Sequence, residues 1–297
     1  MLITDSHCHF FSPRFFETLG REAGFSADAA EAAPTALGWD PPYSTDGLAD
    51  RWVHELDRHR VDRAVLIASV PGDEDSVAGA VRRHPARFIG YFMLNPLADG
   101  ATDRLKRATA ELGLRGVCLF PAMQRYSLLD PRVAAVLEAA PAGCVVFVHC
   151  GVLSVGARTR LGVASRFEIR YGQPLDVQAL ATAWPKLRFV IPHFGAGFFR
   201  EALMAAATCR NVYLDTSSSN AWMALIPGLT LPTVFRHAVA TAGAERLLFG
   251  TDSSFFPRGW HRAVFEAQIA AAEEAKLDNT QMEAIFGGNL NHLLPVS

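Results

Sequence analysis

The chain has 297 residues, half of them hydrophobic, which suits one large α/β domain or two small ones. Only 20% of the residues are charged and the formal net charge is −2, so wholesale disorder and a basic nucleic-acid-binding surface are not expected. No apolar run reaches the roughly 18 residues of a membrane helix, and the segment MLITDSHCHF lacks the basic start of a signal peptide. Five cysteines without a CxxC pair predict reduced thiols in a cytoplasmic protein.

Eight short apolar segments recur along the chain, with helical segments between them. Most are continuous apolar runs, such as AVLIASV, CVVFVHC and RLLFGTD, which are typical of strands buried on both faces of a parallel sheet. The alternation of strands and helices predicts a (β/α)8 barrel, also called a TIM barrel. The predicted strands are 2–10, 63–70, 88–95, 114–121, 144–150, 188–194, 212–217 and 246–252.

An open doubly wound sheet would give a similar alternation. However, no GxGxxG or GxxxxGK[ST] motif follows any predicted strand, so nucleotide-binding versions of that fold lose support. Asp130 followed by Pro131 predicts a helix N-cap with proline at the first helical position. The sequence TQME at 280–283 predicts a capping box that opens the last helix. Further helices are predicted at 48–59, 176–184 and 199–209.

Two connections are unusually long, 11–62 after the first strand and 151–173 after the fifth. Long loops in compact domains often form lids over a functional site, and the alternative is a solvated surface excursion. Because the chain shows no fixed-period repeat and no low-complexity linker, we expect a single domain over 1–297.

The clearest chemical signal is the segment Asp5-Ser-His7-Cys-His9 at the end of the first strand. Residues i and i+2 of a strand point to the same face, so His7 and His9 should project together while Cys8 points the other way. Two adjacent imidazoles at the end of a strand make half of a metal site. Taken alone, an HxH motif is also compatible with two neighbouring surface histidines.

Three other predicted strands end in a potential ligand or base. Strand 5 ends at His149, strand 6 at His193 and strand 8 at Asp252. Singly, each histidine could be a hydrogen-bonded core residue and the aspartate a helix N-cap. In a barrel, however, all these ends share the rim that holds the active site. Jointly, the five residues therefore predict a metal site.

At this point the chain resembles the amidohydrolase superfamily, with His-x-His on strand 1, histidines on strands 5 and 6, and aspartate on strand 8. It is most similar to the amidohydrolase-related (amidohydrolase 2) branch that includes aminocarboxymuconate semialdehyde decarboxylase. The resemblance extends over essentially the whole chain, and the stretches that support it are WPKLRFVIPHFG at 184–195, NVYLDTS at 211–217, RLLFGTD at 246–252 and GNLNHLL at 288–294.

Carried over residue by residue, the resemblance implies that His7, His9, His149 and Asp252 are metal ligands. It implies that His193 is the acid/base residue beside the metal-activated water. The chemistry is sensible by itself, because three neutral imidazoles and one carboxylate leave positive charge on a divalent cation. That charge lowers the pKa of a bound water towards about 7. His193 can shuttle its proton, and Asp252 can be both ligand and proton acceptor.

Binuclear members of the superfamily carry a bridging lysine on strand 4. Here that strand reads LRGVCLFP, with no lysine, so one metal ion is inferred. Cys118 on the same strand is a possible soft ligand, although a small core residue is the preferred interpretation. Zinc fits three histidines and one aspartate, with manganese, cobalt and iron as alternatives.

Substrate contacts are less defined by the sequence. An arginine could bind a substrate carboxylate in a bidentate manner, although an ordinary surface arginine is the preferred interpretation for each candidate; the candidates are Arg51, Arg160, Arg200 and Arg258. Aromatic residues at or after strand ends could wall a pocket or belong to the core: Phe10, Phe11, Phe120, Tyr126, Phe194, Trp222 and Phe255. Asp215 and Ser217 could support the site or cap a helix. The remaining histidines are interpreted as structural or surface residues, with His261 nearest in sequence to Asp252.

Two reactions would use the same five residues. The preferred one is hydrolysis of a small ester, lactone or amide, because hydroxide chemistry is the general mode of the superfamily that the chain resembles. The alternative is non-oxidative decarboxylation of a small unsaturated or aromatic acid. A non-catalytic binding barrel is a third hypothesis, which predicts at least one missing ligand. The expected partner is a small molecule, possibly a carboxylate, with no nucleic acid or membrane; a homo-oligomer is compatible with the sequence.

Overall fold

The computed structural model describes residues 1–26, 28–152, 155–165, 167–217 and 220–295. Within them, eight parallel strands pair with one another in chain order in a single sheet. All eight predicted strands are found, each of them shorter than predicted. They are Thr4–Phe10 (β1), Arg63–Ala68 (β2), Phe88–Met93 (β3), Gly116–Leu119 (β4), Val145–Val148 (β5), Arg188–Ile191 (β6), Val212–Asp215 (β7) and Leu247–Leu248 (β8).

The sheet curls so that the chain after β8 meets β1. The amide of Ser6 donates to the carbonyl of Phe249 at 2.7 Å, and the amide of His9 donates to the carbonyl of Ser253 at 2.7 Å. These bonds make a nearly closed eight-stranded barrel, which confirms the predicted (β/α)8 fold. Closure also brings the end of β1 beside the segment that carries Asp252.

Helices separate the strands and cover the outside of the barrel. In chain order they are Pro13–Glu22 (α1), Ala29–Leu37 (α2), Thr45–His59 (α3), Glu74–Arg83 (α4), Ala101–Ala110 (α5), Pro121–Gln124 (α6), Pro131–Glu138 (α7), Gly156–Arg160 (α8), Pro174–Ala183 (α9), Phe199–Thr208 (α10), Leu231–Ala242 (α11), Arg262–Glu274 (α12), Asn279–Glu283 (α13) and Asn289–Leu293 (α14). Within the described residues, no helix is both long and apolar enough to cross a membrane.

The strands are buried on both faces, as their continuous apolar runs predict. Along β2, Val65 and Ile67 belong to the core inside the barrel, whereas Leu66 belongs to the core between sheet and helices. Cys8 of β1 lies in the outer core and Cys118 of β4 in the inner one. The histidines that flank Cys8 therefore point into the barrel.

The two helix caps predicted from sequence have different outcomes. Asp130 caps α7, accepting a hydrogen bond from the amide of Arg132 at 2.9 Å. The capping box at 280–283 is wrong, because α13 begins two residues earlier. There Asp278 is the N-cap, and it exchanges backbone and side-chain hydrogen bonds with Gln281. Both segments fit the S/T/D-x-x-E/Q pattern, and the earlier one satisfies the first free amides of the helix.

The two long connections are folded segments. The 11–62 connection contains α1, α2 and α3, and the 151–173 connection contains α8 and a 3-10 turn at Ile169–Tyr171. Residues 27, 153, 154 and 166 of these connections lie outside the described residues. Ala157 of α8 joins Phe15 of α1 and Leu37 of α2 in a small satellite core. The two insertions therefore pack against each other.

Candidate metal centre

The end of β1 presents two histidines to the barrel interior. The Nε2 atoms of His7 and His9 are 3.3 Å apart, as the strand alternation predicts. A β-bulge between Asp5 and Cys8 shifts the register of β1 against β2. Because of the bulge, the consecutive side chains of Ser6 and His7 both contact Asp215, whereas neighbours on a regular strand would point to opposite faces.

Asp252 follows β8 and faces the two histidines. Its amide donates to the carbonyl of His7 at 2.9 Å, which ties the two strand ends together. Its Oδ1 lies 3.2 Å from His9 Nε2 and 3.6 Å from His7 Nε2. Burial by itself would raise the pKa of Asp252, but the hydrogen bond from His9 and the charges of the histidines hold that pKa well below its ordinary value. The side chain is therefore a carboxylate.

His149 follows β5 on the buried side of the cluster. Its ring stacks on Phe120 at a centroid distance of 4.0 Å, and it lies 5.4 Å from the ring of His7. Burial, with the neighbouring histidines, holds the pKa of His149 well below its ordinary value, so the ring is neutral. Its Nδ1 is buried and has no hydrogen-bond partner within the described residues. An imidazole in this state has a lone pair available for a metal.

His193 follows β6, with its ring centroid 5.1 Å from that of His7. Its Nδ1 lies 3.1 Å from the carbonyl of Ser217. Because a carbonyl only accepts, Nδ1 carries the proton and Nε2 carries the lone pair. Burial is the main cause of the lowered pKa of His193, so the neutral tautomer is a proton acceptor at neutral pH.

Two residues of the cluster have left-handed backbones. His193 has φ 56° and Asp252 has φ 58°, a region that non-glycine residues rarely adopt and that costs about 1–3 kcal/mol per residue. The adjacent Phe194 has φ 52°. These turns direct the two side chains towards the barrel axis immediately after their strands end. Such strain is characteristic of functional sites.

A hydrogen-bonded network below the cluster determines which nitrogens carry protons. Asp215 accepts hydrogen bonds from the hydroxyls of Ser6 and Ser217 and lies 3.4 Å from Nδ1 of His7. Although burial would raise its pKa, the charge of His7 and its hydrogen bonds hold the pKa of Asp215 below its ordinary value. The Nδ1 of His7 therefore donates to Asp215. On the other side of the cluster, Nδ1 of His9 lies 2.8 Å from the hydroxyl of Ser69.

Nδ1 of His7 faces the Asp215 carboxylate. Ser69 donates its own hydroxyl proton to the carbonyl of Ile67, so Nδ1 of His9 can donate to Ser69. Both rings can therefore offer Nε2 to a cation. Nε2 of His7, Nε2 of His9 and the Asp252 carboxylate face one another at 3.2 to 3.6 Å. Although burial opposes protonation, the carboxylates of Asp215 and Asp252 raise the pKa of His7, so a metal would have to displace that proton. The ligand atoms of His7, His9 and His149 also lie within 4.8 Å of one another. A cation fits this donor set, and the residues present can hold a divalent metal.

A second group of potential ligands consists of His7, His193 and Asp215. Both oxygens of Asp215 already accept hydrogen bonds, one from Ser6 at 2.5 Å and the other from Ser217. The carboxylate is also fully buried. It is therefore a support that orients His7, in the way that carboxylates orient metal-binding histidines elsewhere.

The sequence reasoning missed two supports of the cluster. The first is Ser69, which directly follows β2 and contacts His9; the strand-end rule used for the histidines would have found it. The second is Asp5, which accepts from the Thr251 hydroxyl at 2.5 Å and from the Trp260 indole at 2.7 Å. Burial raises the pKa of Asp5 to about 6. No local pattern links Asp5 to Trp260, because they meet only when the barrel closes.

Three of the seven aromatic residues considered from sequence lie beside the cluster or its loop. Phe120 stacks on His149, the ring of Phe11 is 5.7 Å from that of His9, and Phe255 follows Asp252 by three residues. The other four are buried in the outer core: Phe10, Tyr126, Phe194 and Trp222. Phe10, for example, lies on the same outward face of β1 as Cys8 and packs against helices rather than lining the barrel.

Two of the four candidate arginines are neutralised by carboxylates on the surface. Arg51 is 2.5 Å from Asp40, and Arg200 is 2.6 Å from Glu201. Arg200 is largely exposed, with 84% of its side chain accessible. These two therefore behave as ordinary surface arginines.

The other two arginines lie closer to the barrel mouth. Arg160 of α8 donates to the carbonyl of Leu37. The Nη2 of Arg258 lies 3.3 Å from the carbonyl of Asp252, so this arginine touches the segment that carries a candidate ligand. His261, the remaining histidine nearest in sequence, precedes α12, and its amide donates to the hydroxyl of Ser253 at 2.8 Å.

Comparison with known proteins gives one curated relative, Protein fluG of Emericella nidulans. It is 26% identical over 164 residues, which are 55% of this chain but only 18% of that protein. The chain therefore spans about a fifth of the length of this relative.

Solved structures share the fold over almost the entire chain. An uncharacterized TIM-barrel protein from Bordetella bronchiseptica has a TM-score of 0.65 at 18% identity, covering 99% of this chain and 98% of that one. A 2,6-dihydroxybenzoate decarboxylase, solved with 2,6-dihydroxybenzoate, has a TM-score of 0.58 at 16% identity, covering 98% and 97%. The sequence model of the amidohydrolase family matches residues 4–295. The chain therefore belongs to the amidohydrolase family, whose members typically use a divalent metal.

Proposed function

We propose that the protein is a metal-dependent hydrolase of a small ester, lactone or amide. In this proposal His7, His9, His149 and Asp252 hold one divalent metal ion, and His193 is the acid/base residue. The observation that carries it is the convergence of two imidazole Nε2 atoms and a carboxylate oxygen at 3.2 to 3.6 Å. Ligands from the first to the last strand contribute, so we also propose that 1–297 acts as one domain.

The donor set favours a single ion, with zinc as the proposed metal. Three imidazoles and one carboxylate suit zinc, and manganese, cobalt and iron remain alternatives. β4 carries no lysine to bridge a second ion. Cys118 lies on that strand within the inner core, and burial raises the pKa of its thiol well above the ordinary value. A protonated thiol is a poor ligand.

Each side chain has a defined task in this hydrolase. A bound divalent metal supplies hydroxide near neutral pH and polarises a carbonyl oxygen. His193 accepts the proton of the attacking water at Nε2 and later delivers it to the leaving group. The carbonyl of Ser217 fixes the His193 tautomer that makes this transfer possible. Asp252, whose side chain is 31% exposed, faces the side from which substrate arrives.

Decarboxylation is the second candidate, favoured by the apolar surroundings of the buried ligands. Phe147 packs edge-on against His7 at 4.9 Å, and Phe120 covers His149. Desolvation of a carboxylate beside such rings assists the departure of neutral CO2. In this reaction His193 would first take up a proton from solvent at Nε2 and then donate it to the carbon that loses the carboxyl group. The relative solved with 2,6-dihydroxybenzoate is a decarboxylase by name, and its likeness to this chain concerns the fold.

The test measures metal and product separately. Metal per chain is determined by mass spectrometry for the wild type and for Asp252→Asn, His149→Ala and the control His84→Ala, whose ring contacts Asp50 on the surface. We expect about one zinc or manganese per chain in the wild type and the control, and loss of metal in the other two variants. Absence of metal after reconstitution of the wild type would refute the proposal.

Reaction type is decided on the metal-loaded protein. A panel of lactones, esters and amides is incubated in H218O, and a panel of unsaturated and aromatic acids is assayed for CO2. Incorporation of one 18O into the product supports the hydrolase. Release of CO2 without 18O incorporation would establish the decarboxylase instead.

A further inference from the structure

The candidate metal centre is open on one side only. The side chain of His7 is fully buried, and His149 and His193 are 3% and 4% exposed. By contrast, the side chains of His9 and Asp252 are 15% and 31% exposed. A substrate must therefore approach past His9 and Asp252.

That open side is bordered by a stack of aromatic rings, which we call the aromatic column: Phe15, Phe11, Trp39 and Phe255. Phe15 and Phe11 are stacked at 3.9 Å, and Trp39 and Phe255 at 4.0 Å with an interplanar angle of 9°. Phe11 and Trp39 are nearly parallel at 6.0 Å. The column connects the 11–62 insertion to the loop after β8, and Phe11 contacts the ring of His9.

Arg258 lies at the end of the column. Its guanidinium is 4.4 Å from the centre of the Phe255 ring. Its Nη2 donates to the carbonyl of Asp252 at 3.3 Å and to the hydroxyl of Ser254 at 3.0 Å. The side chain is half-buried, and its Nε is buried with no hydrogen-bond partner among the described residues.

Arg258 lacks the salt bridge that another ring-stacked arginine, Arg51, has. Arg51 also stacks on an aromatic ring, that of Phe256 at 4.0 Å, but it is paired with Asp40. Within the described part of the chain, Arg258 forms no salt bridge. A half-buried cation with unused N–H groups is costly unless an anion binds to it.

We infer that Arg258 and the aromatic column form a binding element for the carboxylate of a planar, ring-bearing acid beside the metal centre. The ring of the ligand would lie against the column, and its carboxylate would accept from the N–H groups that Arg258 does not use. A guanidinium matches a carboxylate in geometry and charge, and the column supplies flat apolar surface. This inference rests on the proposed function and deepens it, because it adds a carboxylate on a planar ring to the description of the substrate.

Binding is measured with benzoate, benzamide and acetate as probes. Benzamide keeps the shape of benzoate without its charge, and acetate keeps the charge without the ring. Quenching of tryptophan fluorescence reports the ring beside Trp39, and Trp39→Phe assigns the signal. We expect benzoate to bind at least about ten times more tightly than either of the other two, as one charge-assisted hydrogen bond would give.

Three variants test the role of Arg258. Arg258→Met should weaken benzoate binding by at least about tenfold and leave benzamide binding unchanged. Arg258→Lys keeps the charge without the fork and should recover part of the loss, which also guards against misfolding of the first variant. The control Arg51→Met removes a stacked arginine that is already paired, and should bind benzoate as the wild type does.

The same titrations on metal-free protein separate this inference from the proposed function. If the preference for benzoate over benzamide survives removal of the metal, Arg258 holds the carboxylate. If the preference disappears with the metal, or if both Arg258 variants bind benzoate normally, the inference is refuted while the metal site stands. Failure of the wild type to bind metal would refute the proposed function and leave the benzoate result interpretable.

Discussion

The buried and open sides of the candidate metal centre differ in what surrounds them. On the buried side, His7 and His193 are held by Asp215 and Ser217 in a buried hydrogen-bonded network. On the open side, Nδ1 of His9 has one side-chain support, the hydroxyl of Ser69, and the ring of Phe11 lies beside the imidazole.

The difference separates two tasks. The buried network fixes tautomers and charge, which the chemistry requires whatever the substrate is. The open side is built from the 11–62 insertion and the loop after β8, segments that can vary without disturbing the barrel. We therefore expect changes on the buried side to affect metal binding and folding, and changes on the open side to affect mainly ligand preference.

The largest effect is expected for Asp215→Asn on the buried side. The substitution removes the carboxylate that orients His7, and breaking such a buried pair costs about 3–5 kcal/mol. Metal affinity should fall by about 10–100-fold. Urea unfolding and chelator competition measure the two quantities, with the exposed Asp40→Asn as control. If Asp215→Asn bound metal as tightly as the wild type, Asp215 would not be needed to orient His7.

Gly250→Ala tests how tightly the same side is packed. A Cβ at Gly250 would lie 2.4 Å from Oδ2 of Asp215 and 2.9 Å from Cβ of His7, two groups that have little room to move. Overpacking of this kind costs about 1–3 kcal/mol. Gly156→Ala in α8 is the matched control, because no atom lies within 4 Å of the added Cβ. Equal unfolding free energies for the two variants would contradict the close packing.

The buried side should also make the unfolding free energy of the metal-free protein depend on pH. Because burial lowers the pKa of His149 well below 6.5, the unfolded chain takes up a proton there as the pH falls and the folded chain does not. Stability is therefore lost as the pH falls below 6.5.

The variant His149→Gln removes this contribution. Between pH 7.5 and 5.5 the wild type should lose about 1.4 kcal/mol more unfolding free energy than the variant, measured by urea titration of metal-free samples. Parallel losses in the two proteins would mean that His149 is protonated in the folded state.

Ser69→Ala on the open side should have the smallest effect. It removes the one side-chain partner of His9 Nδ1, and a lost neutral hydrogen bond of this kind is worth about 1 kcal/mol. We expect metal affinity to fall a few-fold with unfolding free energy nearly unchanged. Ser69→Thr keeps the hydroxyl and serves as the control. If Ser69→Ala lost as much metal affinity as Asp215→Asn, the two sides would not differ in their contribution to metal binding.

Much of the barrel could be predicted because its signals are local. Continuous apolar runs predicted strands buried on both faces, and the HxH spacing predicted that His7 and His9 share one face of β1. Boundaries were less accurate where two signals compete, as at Asp278 and Thr280, both of which fit a capping pattern. In the two insertions the helix at 48–59 was predicted and is found as α3. The helices α1, α2 and α8 were not predicted, since they are stabilised by packing against each other.

The sequence by itself determined the number and order of the strands and which polar residues follow them, because burial and alternation depend on residues that are neighbours in the chain. Only the tertiary structure decided which of those residues meet. The bulge in β1 and the left-handed turns at His193 and Asp252 exist only in the folded chain. The contact of Asp215 with His7 depends on barrel closure, which brings β7 and β1 together. The aromatic column also depends on tertiary structure, because Phe11, Phe15 and Trp39 precede β2 whereas Phe255 follows β8.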